Sequence, residues 1–327
     1  MVGIINGCPQ ERQFQFLPWW FSMCGQAQTK VVTIMKRRAF LQTTAMAAGA
    51  MALPSWLQGD EKAGTVQVGG KDPHQITRKA IEALGGMKRF VSRGDVVMIK
   101  PNIGWNRRPE QAACTNPEVV RALIELCQDA GAARIMVMDN TCHRAQDCYQ
   151  TSGIKAVAEK AGVELKFSDE NRLVIHDFKG ERIGKWPVFR EFLEVDRLIN
   201  VPVLKHHGLA ELTIGMKNLF GVVGGNRGKL HRDIGKTIVD LNGGITSHLT
   251  VVDAWRILLR NGPVGGNLED VQEKKTVIAS TNVMNADVLA TLLFGKQPLE
   301  IPYLREGELR GMGFMDPTKF PHSIIEA

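Results

Sequence analysis

Lys205, His206, His207, Lys217, Asn218 and His231 crowd into residues 201–240, VPVLKHHGLAELTIGMKNLFGVVGGNRGKLHRDIGKTIVD. From residue 205 to 236 there are six lysines and arginines against two acids. That excess of positive charge makes an anion the natural electrostatic partner. His206, His207 and His231 are the catalytic candidates, because imidazole gives and takes a proton near neutral pH. Lys205, Lys217 and Asn218 are candidates for holding the anion by charge and hydrogen bonds.

Lys100, Asn102, Asp139 and Asp253 join the ligand-binding set for a positional reason. Lys100, Asp139, Lys205 and Asp253 each stand at or just past the end of an apolar run that reads as a strand. Ligands of open α/β sheets bind in the crevice outside the carboxyl ends of the strands. Four polar residues at equivalent ends therefore face one crevice.

The elements that must position them alternate along the chain. Strands are predicted at 96–100, 134–138, 163–167, 197–204, 249–252 and 276–279. Helices are predicted at 116–130, with Pro117 in its first turn, and at 154–161, 209–220, 230–241 and 286–294. Near-continuous apolar strands separated by helices predict an α/β fold of three layers, a mostly parallel sheet with helices on both faces. The more polar stretch 169–194 reads as a small antiparallel excursion. On a helix over 209–220, His206, Ala210, Thr213 and Lys217 form one stripe. An unbroken helix from His206 would put it about 16 Å from Lys217, too far for both to grip one small group unless the turn at Gly208 folds back.

Other chemistries find less support. Gly221, Gly224, Gly225 and Gly228 have the composition of a phosphate-cradling loop but the spacing of neither a Walker A nor a dinucleotide motif. Asn261-Gly262-Pro263-Val264-Gly265-Gly266 reads as a backbone anion site or a tight turn. No G-x-S-x-G elbow marks a serine nucleophile. His206, His207, His231 and Asp253 are of metal-ligand type but follow no compact ligand spacing.

Composition bounds the rest. A chain of 327 residues, 44% hydrophobic and 23% charged, is long enough for one large or two ordinary domains. Net charge +7 with 6% aromatics, and no basic run interleaved with aromatics, argues against nucleic-acid binding. Lys36-Arg37-Arg38-Ala39-Phe40-Leu41, then TTAMAAGAMA ending in Ala50-Met51-Ala52, resembles a twin-arginine export signal over 35–52. It is too short to span a membrane. Residues 1–34 read as an upstream extension and Met35 as the functional start, leaving 53–327 as one α/β domain. The expected location is periplasmic, with the twin-arginine machinery as a partner. Such export often carries proteins loaded with a cofactor, which the sequence leaves unknown. Past the leader, Cys114, Cys127, Cys142 and Cys148 contain no C-x-x-C and hence no Fe–S motif. Cys127 reads as a buried helix residue, and Cys142 and Cys148 as loop residues that could pair after export.

Several motifs together resemble the family called domain of unknown function 362. They are Lys100-Pro101-Asn102, V-P-V-L-K-H-H, M-K-N-L-F-G, L-H followed by I-V-D-L, V-V-D-A and N-G-P-V-G-G, in that order, within roughly 66–295. The resemblance implies the fold and a site more than a reaction. Family members often carry ferredoxin-like cysteine motifs, which this chain lacks. Where the family tends to have D-P-V-A-x-D, Asn282 to Asp287 keep only the last acid. The leading functional expectation is an exported protein whose crevice binds an anionic small molecule or cofactor, with proton-transfer or redox chemistry. A non-catalytic periplasmic binding or assembly protein is the alternative, and a metal-dependent isomerase a weaker one.

Overall fold

The computed structural model describes residues 64–327. The leader expected at 35–52 and the extension at 1–34 lie outside the described residues. The described chain opens with β1 (Thr65–Gly69) and α1 (Pro73–Ala83), the latter capped by Asp72, whose carboxylate accepts from the Gln75 amide at 2.8 Å. β2 (Val96–Pro101), α2 (Pro117–Asp129), β3 (Arg134–Met138), α3 (Ala145–Thr151), α4 (Ile154–Lys160) and β4 (Glu164–Lys166) follow. β5 (Leu173–Asp177) and β6 (Lys185–Phe189) pair antiparallel as a separate small sheet, which is the excursion expected over 169–194. Next come α5 (Glu191–Glu194), β7 (Arg197–Val201), β8 (Val203–His207), β9 (Glu211–Thr213), α6 (Gly215–Asn218) and α7 (Ile234–Gly244). β10 (Leu249–Leu258), β11 (Val271–Ser280), α8 (Val283–Phe294), α9 (Pro302–Leu309) and β12 (His322–Glu326) complete the order.

The main sheet runs β12-β1-β11-β10-β7-β2-β3-β4, with β8 bonded to β10 and β9. Pairing is parallel from β10 through β7, β2 and β3 to β4, and also for β1 with β12 and β10 with β8. β11 opposes both its neighbours, and β9 opposes β8. Side chains alternate across the sheet. Val97, Ile99, Ile135 and Val137 pack with Ile76 of α1, Leu123 of α2 and Ile154 of α4. Met98, Met136 and Met138 belong to the opposite core, with Val188 of β6, Met216 of α6, Ile238 of α7 and Leu289 of α8. The fold is thus α/β in three layers, with a mostly parallel sheet. Helices after β2 and β3 lie on the first face and those between β9 and β10 on the second, so the face changes between the neighbours β2 and β7. Such a switch point leaves a crevice at the strand ends.

Three expectations drawn from spacing are corrected. The helix over 209–220 is instead β9, the one-turn α6 and a helical turn at Leu219–Val222. Leu212, Met216 and Leu219 are buried as a helical period would have them, but they belong to three short elements, and the stripe from His206 to Lys217 does not exist. The strand at 197–204 divides at Pro202, which has no N–H for the ladder, and resumes as β8 through His207. The helix over 230–241 begins only at Ile234, and His231 closes a turn, Arg227–His231. Cys148 is buried in α3 rather than in a loop, and Cys142 and Cys148 are both free thiols.

Candidate functional site

The β8–β9 hairpin pairs Lys205 with Thr213, His206 with Leu212 and His207 with Glu211. Alternation along β8 therefore puts Lys205 and His207 on one side and His206 on the other. Past the hairpin, buried Asp287 of α8 accepts from the Gly215 and Met216 amides at 2.7 and 2.8 Å, which fixes the first turn of α6. Burial raises this carboxyl to about 8, and the two amides pull it down. Asp287 is the acid that the family pattern keeps. Asn282, in place of the first acid, still caps α8 by accepting from the Asn285 amide at 3.0 Å.

Held in this way, α6 delivers Asn218 to the end of β2. Lys100 Nζ donates to Asp139 Oδ1 at 2.6 Å, to the Pro101 carbonyl at 3.0 Å and to Asn218 Oδ1 at 3.2 Å. Asn218 donates in turn to Asn200 Oδ1 at 2.9 Å. Asn102 donates to Asn218 Oδ1 at 3.0 Å and accepts from Lys205 Nζ at 3.0 Å, and Lys205 also donates to the Ala113 carbonyl. The Lys100 and Asp139 side chains are 1% and 4% exposed, a buried ion pair whose remaining valences are filled by neighbours. Burial pushes the Lys100 ammonium below its ordinary value while Asp139 pulls it back. Gly221 closes over this pair. A Cβ there would overlap the Asp139 carboxylate and stand 2.7 Å from Lys100 Nζ. Its role is close approach rather than the phosphate cradle considered from composition.

The network forms one wall of a cavity of about 480 Å³. Lys205, His207, Lys217, His231, Phe220 and Arg227 line the rest, together with Trp105, Cys142 and the Gly262–Pro263–Val264 segment. Four cations, Lys100, Lys205, Lys217 and Arg227, face the one carboxylate of Asp139. Burial lowers Lys205 to about 8. Lys217 falls to about 7, chiefly through burial and then through repulsion from Arg227, Lys205 and Lys100. Arg227 is braced by the carbonyls of Asn140 and Thr141, each at 3.1 Å.

The two cavity histidines have opposite polarity. His207 Nδ1 accepts from the Leu209 and Ala210 amides at 3.1 and 3.2 Å, so its ring proton sits on Nε2. Burial, then the Lys217 and Lys205 charges, depress its imidazolium to about 3. His231 Nδ1 is 3.1 Å from the Arg227 carbonyl, which can only accept, so its Nε2 keeps the lone pair. The rings stack 6.3 Å apart. His207 is a neutral donor and His231 a base.

Among the sequence candidates, Lys100, Asn102, Asp139, Lys205, His207, Lys217, Asn218 and His231 come together here. His206 and Asp253 do not line the cavity. Asp253 instead accepts from the Asn116 amide at 2.7 Å and the Trp255 amide at 3.0 Å, tying the start of α2 to β10. Burial raises its carboxyl to about 6. The four metal-type candidates therefore do not converge, and no group of three or more His, Cys, Asp or Glu forms a ligand set among the described residues. Arg227, Phe220, Trp105 and Cys142 also line the cavity and are not among the sequence candidates. Arg227 had a signal in hindsight, being the arginine inside the glycine run.

The profile of the family described as domain of unknown function (DUF362) matches residues 97–291. The chain belongs to the DUF362 family. Every cavity residue falls inside the DUF362 match, and the V-P-V-L-K-H-H and M-K-N-L-F-G motifs together supply Lys205, His207, Lys217, Asn218, Phe220 and Gly221. A thylakoid-associated protein of Synechocystis is 31% identical over 250 residues, covering 72% of this chain and 74% of that protein. Among solved structures, the lactate racemase apoprotein from Thermoanaerobacterium thermosaccharolyticum aligns at 12% identity with a TM-score of 0.40, over 73% of this chain. A Thermotoga maritima protein aligns at 11% identity and 0.42, over 69%. The DUF362 chain spans 59% and 60% of those two proteins.

Proposed function

We propose that this chain is an exported α/β protein whose cavity binds a small organic or phosphorylated anion and moves protons on it. The observation that carries the reading is the imbalance of charge: four basic side chains and one carboxylate around a cavity of about 480 Å³. Buried like charges repel, so an anion placed among them is drawn in and relieves the repulsion. Lys205, Lys217 and Arg227 hold the anion in this reading, while the Lys100–Asp139 pair and Asn102 set the shape of the wall. His231 Nε2 takes a proton from the ligand, and His207 Nε2–H donates a hydrogen bond to the charge that develops. The opposite tautomers of the two rings favour this over a purely binding role.

Calorimetric titration of the folded protein with oxalate and with inorganic phosphate tests the binding. Saturable binding should weaken as salt is raised and fall about tenfold or more in Arg227→Gln, the loss of about 1.4 kcal/mol. No binding of either anion would remove the reading. Because an anion restores the Lys217 ammonium, binding above pH 7 should take up protons. Titrations in buffers of different ionisation enthalpy read that uptake directly.

A further inference from the structure

The three buried lysines of the cavity are not equivalent. Lys100 Nζ has three hydrogen-bond acceptors and Lys205 Nζ two. Lys217 Nζ has no hydrogen-bond or ion-pair partner among the described residues, and it stands 3.7 Å from the centroid of the Phe220 ring. His231 lies against the same ring, with centroids 5.4 Å apart. Asp287 anchors the turn that presents Lys217 from behind. An amine with no hydrogen-bond or ion-pair partner, fixed at its root and facing a cavity that a base also lines, is arranged to form bonds rather than to hold structure.

We propose that Lys217 is a covalent attachment site, where the carbonyl carbon of a small anionic aldehyde or ketone becomes bound to Nζ as an imine. This rests on the anion-binding reading above and names the substrate class for that site. The Lys217 ammonium gives one proton to His231 Nε2. The freed nitrogen lone pair bonds to the carbonyl carbon, and the C=O π pair moves to oxygen. The nitrogen of this adduct passes a second proton to that oxygen. The hydroxyl then leaves as water with the proton returned by His231, while the nitrogen lone pair forms the C=N bond. The iminium keeps the third N–H. Ammonium and carbonyl become iminium and water, with no other reactant required.

Burial, and then neighbouring charge, makes the first step accessible. An ordinary lysine is neutral in fewer than about one molecule in a thousand at pH 7, whereas Lys217, lowered to about 7 by burial and then by the surrounding cations, is neutral in a large share of the ligand-free protein. Arg227 and Lys205 supply the charge that holds the ligand's anionic group.

The test is reductive trapping on the full chain. The protein is incubated separately with glyoxylate and with glycolaldehyde phosphate, reduced with borohydride and mapped by peptide mass spectrometry. One adduct per chain at Lys217 is expected with at least one probe, at least tenfold above any other lysine. It should be suppressed by excess oxalate and absent with acetone, which has the carbonyl without the charge. Labelling at Lys217 by one probe alone distinguishes a carboxylate from a phosphate ligand. Labelling confined to other lysines overturns the proposal. Calorimetric binding of oxalate without Lys217 labelling overturns the imine and leaves the anion site standing, whereas absence of both removes both readings. Mapping in the wild type locates the adduct without a variant. Lys217→Arg, checked for an unchanged thermal midpoint, should lose it.

Discussion

Lys100 and Asp139 show how much a single pair decides. Removing one partner of a buried ion pair leaves an uncompensated charge, at a cost of about 3–5 kcal/mol. Asp139→Asn is therefore expected to lower unfolding free energy by that amount in urea denaturation. Asp139 also accepts from the Ile103 amide at 2.7 Å, so the loop after β2 should lose order as well. The lysines give a pH signature. Unfolded lysine titrates near 10.5, folded Lys205 near 8 and folded Lys217 near 7. Between pH 7 and 10.5 the unfolded chain thus holds more protons, and the contribution of both lysines to stability rises with pH across that window. Stability measured from pH 7.5 to 10 should climb less steeply in Lys217→Met than in the wild type. An equal slope would show that Lys217 is not depressed.

The elements matter through close approach. Gly221 brings the turn after α6 onto the Lys100–Asp139 pair, and a methyl there has no room. Gly221→Ala should cost about 1–3 kcal/mol by overpacking and weaken anion binding with it. Gly243, exposed near the end of α7 with nothing within 4 Å of an added Cβ, is the control. Gly243→Ala should stabilise by up to about 1 kcal/mol through helix propensity. Thermal midpoints of the two variants should move in opposite directions. The β8–β9 hairpin has a similar dependence: a Cβ on Gly262 would run into the His206 carbonyl, so the 261–266 loop lies directly on β8. That explains why a glycine stands there without any appeal to phosphate.

For the whole molecule, the switch between β2 and β7 places the cavity, and no helix among the described residues is long and apolar enough to cross a membrane. Export is argued from Arg37 and Arg38, which lie ahead of the described residues. Changing both to lysine should hold a tagged chain in the cytoplasm. Equal export of both forms, read by cell fractionation, would remove the twin-arginine assignment.

Much of this was legible in the chain itself. β3 and α2 are defined by apolar runs with clear ends, and Lys100 and Asp139 follow from strand ends alone, whereas Lys205 stands in the middle of β8 and Asp253 in the middle of β10. What the sequence determined by itself was local: which runs bury, which residue types gather, and that cations outnumber acids from 205 to 236. Only the tertiary structure decided that residues 209–220 are a hairpin arm and a single turn. Leu212, Met216 and Leu219 satisfy a helical period equally well from three short buried elements, because every face of those elements is covered. It likewise decided that Asp253 ties α2 to β10 rather than facing the cavity, and that His206 points away while His207 points in. Neighbouring strand residues alternate, and which of the two faces the cavity depends on register with β9, a contact no local pattern contains. That Lys217 has no hydrogen-bond or ion-pair partner among the described residues belongs to the same class, since it depends on which acceptors Lys100 and Lys205 have already taken.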